Sequence, residues 1–120
     1  MRRFLVPIAL GVALSAPARA QESPTQADVR CLLLTLGGAG SQDPNVQQGS
    51  MLGMLYYLGR INGREPDLDL QAALVAAMQS FRAEDAERDS RRCSDAMLES
   101  GAELKGLADR LQSEAAKPPS

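Results

Sequence analysis

Cys31 and Cys93 carry the side chains of this sequence best suited to chemistry, and the chain contains no histidine. An isolated cysteine pair can act as a redox or nucleophilic site, bind a metal or form a structural disulfide. Redox and nucleophilic cysteines use a CxxC motif, a partner histidine or a site that stabilises the thiolate. The chain has neither CxxC nor histidine, although Arg91 and Arg92 flank Cys93. A zinc site also lacks ligands, so a structural disulfide is the favoured interpretation.

The first 20 residues have the pattern of a cleavable export signal. Met1–Arg3 is positively charged, residues 4–14 are apolar, and Ala18-Arg19-Ala20 matches the pattern that a signal peptidase accepts. The apolar run is shorter than the roughly 20 residues that a membrane-spanning helix needs. We predict a signal peptide cleaved after Ala20 and a periplasmic protein with no membrane segment in its mature form; an uncleaved anchor or a buried N-terminal helix is the alternative. An oxidising compartment in turn favours a disulfide.

The charge balance of the mature chain narrows the choice of partners. Removal of Arg2, Arg3 and Arg19 leaves 10 basic and 15 acidic side chains, a net charge of −5. Nucleic acids and anionic membranes attract basic surfaces, so we expect neither as a partner. With no histidine, no metal-ligand cluster and no convincing nucleophile, the sequence predicts a protein that is not an enzyme and uses no cofactor or metal.

The remaining residues predict a single helical domain over residues 21–115, followed by a disordered tail at 116–120. Residue pairs such as Ser23-Pro24 and Asp43-Pro44 are typical of a helix N-cap followed by a first-turn proline. The four predicted helices run from Ser23-Pro24 to Gly37–Gly40, from Asp43-Pro44 to a left-handed cap at Asn62-Gly63, from Asp67 or Asp69 to about Ser80, and from about Glu84 to Glu114. The predicted fold is therefore all-α, a small four-helix bundle cross-linked by one disulfide.

Apolar side chains that recur every three or four residues indicate which helix faces form the core. The residues predicted to be mostly buried are Leu34, Leu55, Leu58, Leu74, Met78, Met97, Leu104 and Leu107. Truncation of Leu55 or Leu74 to alanine is then expected to destabilise the fold by about 2–5 kcal/mol.

The segment from Tyr56 to Arg64 combines two tyrosines, two arginines and two glycines. One interpretation is a surface that binds a protein partner through Tyr56, Tyr57, Arg60 and Arg64. The other is an ordinary helix end, with half-buried tyrosines whose hydroxyls contact water and arginines near the negative helix C-terminus.

Two further features of the sequence favour a structural role. Gly49 and Gly53 lie four residues apart and would let another helix approach closely, either within the chain or at a dimer contact. The charged run 84–92 contains the pairs Glu84–Arg88 and Glu87–Arg91 at helical spacing. We predict that this run forms a solvated surface rather than a catalytic site, because catalytic carboxylates need a cleft that shifts their pKa values.

The order of these features resembles the HdeA/HdeB family of small periplasmic acid-stress chaperones. The similar parts are Cys31 on the first mature helix, the segment Tyr56-Tyr57-Leu58-Gly59-Arg60, an Asn-Gly turn, the stretch Asp67-Leu68-Asp69-Leu70 and a late Cys93. The likeness covers roughly residues 28–98. The chain departs from the family in its longer distance between the cysteines, in lacking a tryptophan in the aromatic segment and in the long charged helix after Cys93.

This resemblance implies a non-catalytic protein, often a homodimer, that loosens in acid and holds unfolding protein clients. The charges are compatible with that behaviour, because protonation of all 15 carboxylates would change the net charge of the mature chain from −5 to about +10. Many acidic proteins lose packing in acid for the same reason. A secreted interaction module that binds one protein partner through the Tyr56–Arg64 segment is the alternative hypothesis.

Overall fold

A computed structural model describes residues 21–120 of the chain. The predicted signal peptide, residues 1–20, lies outside the described residues. The described part forms four α-helices and contains no strand, which confirms the predicted all-α class. The helices are α1 (Pro24–Gly38), α2 (Pro44–Arg64), α3 (Leu70–Ser80) and α4 (Ala86–Ala115), with a short 3-10 turn at Ala83–Asp85 before α4. Within residues 21–120 we find no helix whose length and apolarity would allow it to cross a bilayer.

Local capping interactions determine where three of the helices begin. The Ser23 hydroxyl accepts a hydrogen bond from the Gln26 backbone N–H at 3.1 Å, and the Gln26 side chain accepts one from the Ser23 N–H at 2.8 Å. This reciprocal capping box satisfies two N–H groups that have no partner inside α1. Asp43 accepts from the N–H of Asn45 at the start of α2, and Asp69 accepts from the N–H of Ala72 at the start of α3. Of the two caps predicted for α3, Asp69 is therefore the one used.

The C-terminus of α2 differs from the prediction. Asn62 and Gly63 are helical, and no glycine in residues 21–120 has a positive φ, so the predicted left-handed cap at Asn62-Gly63 is wrong. The helix continues to Arg64 because Ile61 is buried and Arg64 binds Asp28 of α1. It then ends before Pro66, since a residue that precedes proline is disfavoured in the helical region.

Helix α1 is central and contacts each of the other three helices. A disulfide joins its Cys31 to Cys93 of α4, with the two Cα atoms 5.6 Å apart. Every helix contributes to the fully buried core, which consists of Val29, Cys31 and Leu32 from α1, Tyr57 and Ile61 from α2, Ala77 from α3 and Cys93 from α4. The predicted disulfide is thus confirmed, and it lies in the middle of the core.

Gly53 allows α1 and α2 to approach each other closely. A Cβ atom at this position would lie 2.5 Å from Cγ2 of Thr35 in α1 and 3.4 Å from the sulfur of Met97 in α4. The prediction of a close helix approach is correct at Gly53, where the approaching helices belong to the same chain. A Cβ at Gly49 would have no atom within 4 Å, so the structure requires no glycine there.

The predicted core is wrong at four of its eight positions. Leu34, Leu58, Leu74 and Met97 are half-buried, but the four other residues are exposed: Leu55, Met78, Leu104 and Leu107. Their helices have apolar stripes wider than the contact with neighbouring helices. Leu55 lies on the outer side of α2, and Leu104 and Leu107 lie on the part of α4 that follows the bundle.

We expect Leu55→Ala to change the free energy of unfolding by no more than about 0.5 kcal/mol, because Leu55 is 70% exposed in the folded protein. Ile61→Val serves as the comparison, since Ile61 is only 1% exposed and loss of one buried methylene costs roughly 0.5–1.5 kcal/mol. Urea denaturation followed by circular dichroism measures both. A larger loss for Leu55→Ala than for Ile61→Val would contradict the observed orientation of α2.

Candidate functional site

The two cysteines are bonded to each other and buried, and the described part of the chain holds no free thiol. In this disulfide-bonded state Cys93 therefore has no thiolate that Arg91 and Arg92 could stabilise. No cluster of three or more candidate metal ligands occurs among residues 21–120. The candidate site instead consists of tyrosine hydroxyls, carboxylates and arginines on the helices that meet at the disulfide.

Tyr57 is fully buried rather than half-exposed, which corrects the expectation that its hydroxyl contacts water. Its hydroxyl donates a hydrogen bond of 2.6 Å to the backbone carbonyl of Cys93. Burial raises the pKa of Tyr57 to about 12, so the hydroxyl remains a donor at any physiological pH. Tyr57 thus joins α2 to the α4 side of the disulfide and is not available to bind a partner directly.

Arg60 and Arg64 both bind one carboxylate of α1. Arg60 Nε lies 3.0 Å and Arg64 Nη1 lies 2.9 Å from Oδ2 of Asp28. Asp28 is only 4% exposed, whereas the two arginine side chains remain partly in water. These two residues of the predicted partner-binding segment therefore make an ion-paired contact between α2 and α1.

Tyr56 continues this polar contact to α4. Its hydroxyl accepts a hydrogen bond from Arg60 at 2.9 Å, lies 2.8 Å from the Ser100 hydroxyl and lies 3.3 Å from the Ala96 carbonyl. The Arg60 guanidinium also lies 5.5 Å from the centroid of the Tyr56 ring, within the range of a cation–π interaction. Asp28, Arg60, Tyr56 and Ser100 form one connected chain across three helices.

A second buried carboxylate lies on α4, four residues before Cys93. Asp89 of α4 is 3% exposed and binds Arg30 of α1. Arg88 and Arg92 approach the other Asp89 oxygen at 3.4 and 4.0 Å. Burial alone would raise the pKa of the Asp89 carboxyl, but the hydrogen bond from Arg30 and the charges of the three arginines outweigh it. The pKa of Asp89 therefore lies below the ordinary aspartate value.

Two acidic side chains lie close enough to the Arg30 guanidinium to balance its positive charge. Besides Asp89, Glu22 lies 3.5 Å from its Nε atom, at ion-pair but not hydrogen-bond geometry. That Nε atom is buried and has no hydrogen-bond partner. The Arg30 side chain is 17% exposed. The contact between α1 and α4 thus contains a largely buried cation whose counter-charges are carboxylates.

The run 84–92 is mostly the solvated surface that the sequence predicts, but Asp89 is an exception. Arg91 binds Glu87 at 2.8 Å as predicted. Arg88 binds Asp85 at 3.2 Å instead of Glu84, whose nearest basic contact is Arg82 at 3.6 Å, so the predicted Glu84–Arg88 pair is wrong. Asp89 points inward because it shares a helix face with Cys93, one turn later.

Sequence reasoning overlooked Asp28 and Asp89, although a signal was available. Asp28 precedes Cys31 by three residues and Asp89 precedes Cys93 by four, and both spacings place a carboxylate on the cysteine's side of the helix. Once the cysteines are taken as a buried disulfide, each aspartate must lie close to the core. A buried carboxylate needs hydrogen-bonding or cationic partners, and the nearby arginines are the candidates.

Comparison of the chain with protein-family models, with curated proteins and with solved structures found no match. The resemblance to the HdeA/HdeB family stays a prediction, and function must be inferred from the geometry around the disulfide.

Proposed function

We propose that this protein is an exported, acid-responsive chaperone that loosens at low pH and holds unfolding proteins. The observation that carries the proposal is the pair of buried aspartates, Asp28 and Asp89, each of which lies about one helical turn before a cysteine of the Cys31–Cys93 disulfide. Each aspartate binds an arginine from another helix, so two of the main contacts between helices depend on a charged carboxylate.

The direction of the pH effect follows from Asp89. Because its pKa in the folded protein is lowered, the stabilising contribution is fully present above the ordinary aspartate pKa of about 3.9. It is lost as the pH falls through the lower value of the folded protein. Protonated Asp89 leaves Arg30 with a largely buried positive charge and only the more exposed Glu22 beside it. Removal of one member of a buried ion pair is strongly destabilising. The proposal therefore places the loosening below about pH 4.

The disulfide decides which helices can separate. It joins α1 to α4 covalently, and acid does not break it. Helix α2 is attached to α1 and α4 without a covalent bond, through Tyr56, Tyr57 and the arginines that bind Asp28. When Asp89 is protonated and the packing around the disulfide loosens, we expect α2 to move away from the α1–α4 pair and uncover core side chains such as Leu32 and Ile61. Those apolar surfaces would bind the client.

An exported location agrees with these features. A buried disulfide is typical of proteins that fold in an oxidising compartment, and the sequence pattern of residues 1–20 favours a signal peptide. In an acid-exposed periplasm the chain would meet the pH range in which Asp89 titrates. The periplasmic location is part of the proposal.

The test compares the oxidised chain of residues 21–120 with two variants over a series of pH values. We expect the wild type to lose its near-ultraviolet tyrosine signal below about pH 4, to bind an apolar dye and to slow the aggregation of an acid-denatured client. Asp89→Asn mimics the protonated state, so its loosening and its client binding should appear at a higher pH than in the wild type. Asp109→Asn is the matched control, because Asp109 lies in an exposed pair with Lys105, and it should leave the transition unchanged.

A fully native near-ultraviolet spectrum at about pH 2 with no effect on client aggregation would refute the chaperone proposal. The remaining hypothesis would then be an interaction module that binds one protein partner at neutral pH. In such a module Arg60 and Arg64 would have to leave Asp28 to contact that partner.

A further inference from the structure

The C-terminal half of α4 extends beyond the other helices. Ser100 is the last residue of α4 that a hydrogen bond joins to another helix in the described part of the chain. Residues 101–115 are all exposed except Gly106, which is half-buried, and they span about 22 Å as a helix. The rest of α4 nucleates this part of the helix, but Gly101 and Gly106 lower its helix propensity. This segment, called the α4 arm below, would therefore be stabilised by a surface that covers its apolar side.

The arm has the spacing of a coiled-coil helix. Leu104 and Leu111 are seven residues apart, and Leu107 follows Leu104 by three residues, as at the a and d positions of a heptad. Their exposed fractions are 67%, 60% and 44% for Leu104, Leu111 and Leu107. In the preceding heptad, Met97 occupies the a position and Ser100 the d position. The unpartnered leucines thus form one continuous stripe.

The residues beside this stripe are self-complementary in charge. Glu103 and Arg110 occupy the two g positions, and Gly101 and Ala108 occupy the e positions. In an antiparallel pair of helices, an a residue lies level with a d residue of the other helix and the g positions face each other. With Leu104 of one copy level with Leu107 of the second, Glu103 of each copy lies beside Arg110 of the other. The opposite edge has small residues that allow close approach.

We propose that the α4 arm binds a second copy of this chain as an antiparallel, two-fold symmetric coiled coil. Its centre consists of the Leu104–Leu107 contacts, formed twice, with Leu111 of one copy beside Ser100 of the other. Two Glu103–Arg110 ion pairs between the copies set the orientation. A parallel pair would place Glu103 beside Ala108 and Arg110 beside Ala115, and it would form neither ion pair.

The apolar surface of α2 extends this interface. Tyr56 contacts Ser100, and Leu52 lies one helical turn before Tyr56 and is 57% exposed. The end of the second copy's arm would reach this side of α2 beside Ser100. The dimer therefore gives a reason for exposed leucines on both helices. It is independent of the proposed chaperone function, because it concerns the native chain at neutral pH.

Sedimentation equilibrium of oxidised residues 21–120 at neutral pH and low salt tests the proposal through charge reversal. We expect the wild type to form dimers in a concentration-dependent way. E103R and R110E should each raise the dissociation constant about tenfold or more, because two ion pairs become two like-charge contacts. An equimolar mixture of the two variants should associate again as a heterodimer, since both of its contacts pair arginine with glutamate. The double variant E103R/R110E should also recover self-association.

The matched controls make the same charge changes on the outer side of the arm. D109R and K105E lie at f and b positions and should leave the dissociation constant within about threefold of the wild type. Circular dichroism of every variant checks that the helices remain. A wild type that is monomeric at millimolar concentration would overturn the proposal. So would a dimer that is insensitive to E103R and R110E, or a mixture of these variants that fails to associate.

Discussion

Reduction of the Cys31–Cys93 disulfide is expected to lower the free energy of unfolding by about 4 kcal/mol. The bond closes a loop across 62 positions of the chain, and the chain-entropy model gives about this stabilisation for such a loop. A domain of this size is typically stable by only about 5–15 kcal/mol. The effect should be large here because both cysteines lie in the small central core and join helices that are distant in sequence.

Urea denaturation of the oxidised and the reduced chain, at equal protein concentration, measures this difference. The double variant Cys31→Ala/Cys93→Ala is the control for the reductant, since its midpoint should be low and should not change when the reductant is added. A reduced chain whose stability lies within about 1 kcal/mol of the oxidised chain would show that packing of α1 against α2 and α3 suffices.

Asp89→Asn is expected to lower the free energy of unfolding at neutral pH by about 3 kcal/mol. The substitution keeps the shape of the side chain but removes the negative charge that faces Arg30, whose side chain is only 17% exposed. Removal of one member of a buried ion pair typically costs about 3–5 kcal/mol because the other charge stays buried. We take the lower end because Arg30 keeps a second carboxylate, Glu22, 3.5 Å from its Nε atom.

The pH dependence distinguishes this electrostatic cause from a simple packing defect. The difference in stability between the wild type and Asp89→Asn should be constant above about pH 5 and should shrink below about pH 4, as Asp89 of the wild type becomes protonated. Asp109→Asn removes a carboxylate from an exposed pair and should cost no more than about 0.5 kcal/mol. A stability difference for Asp89→Asn that stays constant down to pH 2 would rule out the ion pair as its cause.

The helices could be predicted from the sequence because their limits depend on nearby residues. Ser23 with Gln26, Asp43 with Asn45 and Asp69 with Ala72 are interactions within one turn. The residue types therefore indicate the first two caps, and they limit the third to Asp67 or Asp69. The exception is the end of α2, where a long-range ion pair between Arg64 and Asp28 keeps Asn62 and Gly63 helical. The Asn-Gly sequence predicted a helix end at Asn62-Gly63, but the contact of Arg64 with α1 stabilises one more helical residue.

Burial could be predicted only in part. Periodicity shows that Leu55, Met78 and Leu104 lie on apolar stripes, but it does not show whether another helix covers each stripe along its whole length. Tyr57 is more buried than expected, since a tyrosine near a helix end is usually half-exposed. Here Gly53 lets α1 approach α2 closely, and the Tyr57 ring lies in the core. Whether an apolar stripe is buried depends on where the other helices pack. The spacing of apolar residues within one helix carries no information about those positions.

By itself, the sequence determined the helical class, the starts of α1 and α2, the start of α3 to within two residues, and the pairing of Cys31 with Cys93. These properties follow from residue type, from spacing of a few residues and from the presence of a single cysteine pair. The tertiary structure decided which polar groups are buried together: Asp28 with Arg60 and Arg64, and Asp89 with Arg30. Those partners lie 32 to 59 residues apart, and only the crossing of α1 with α2 and α4 brings their charges within a few ångströms.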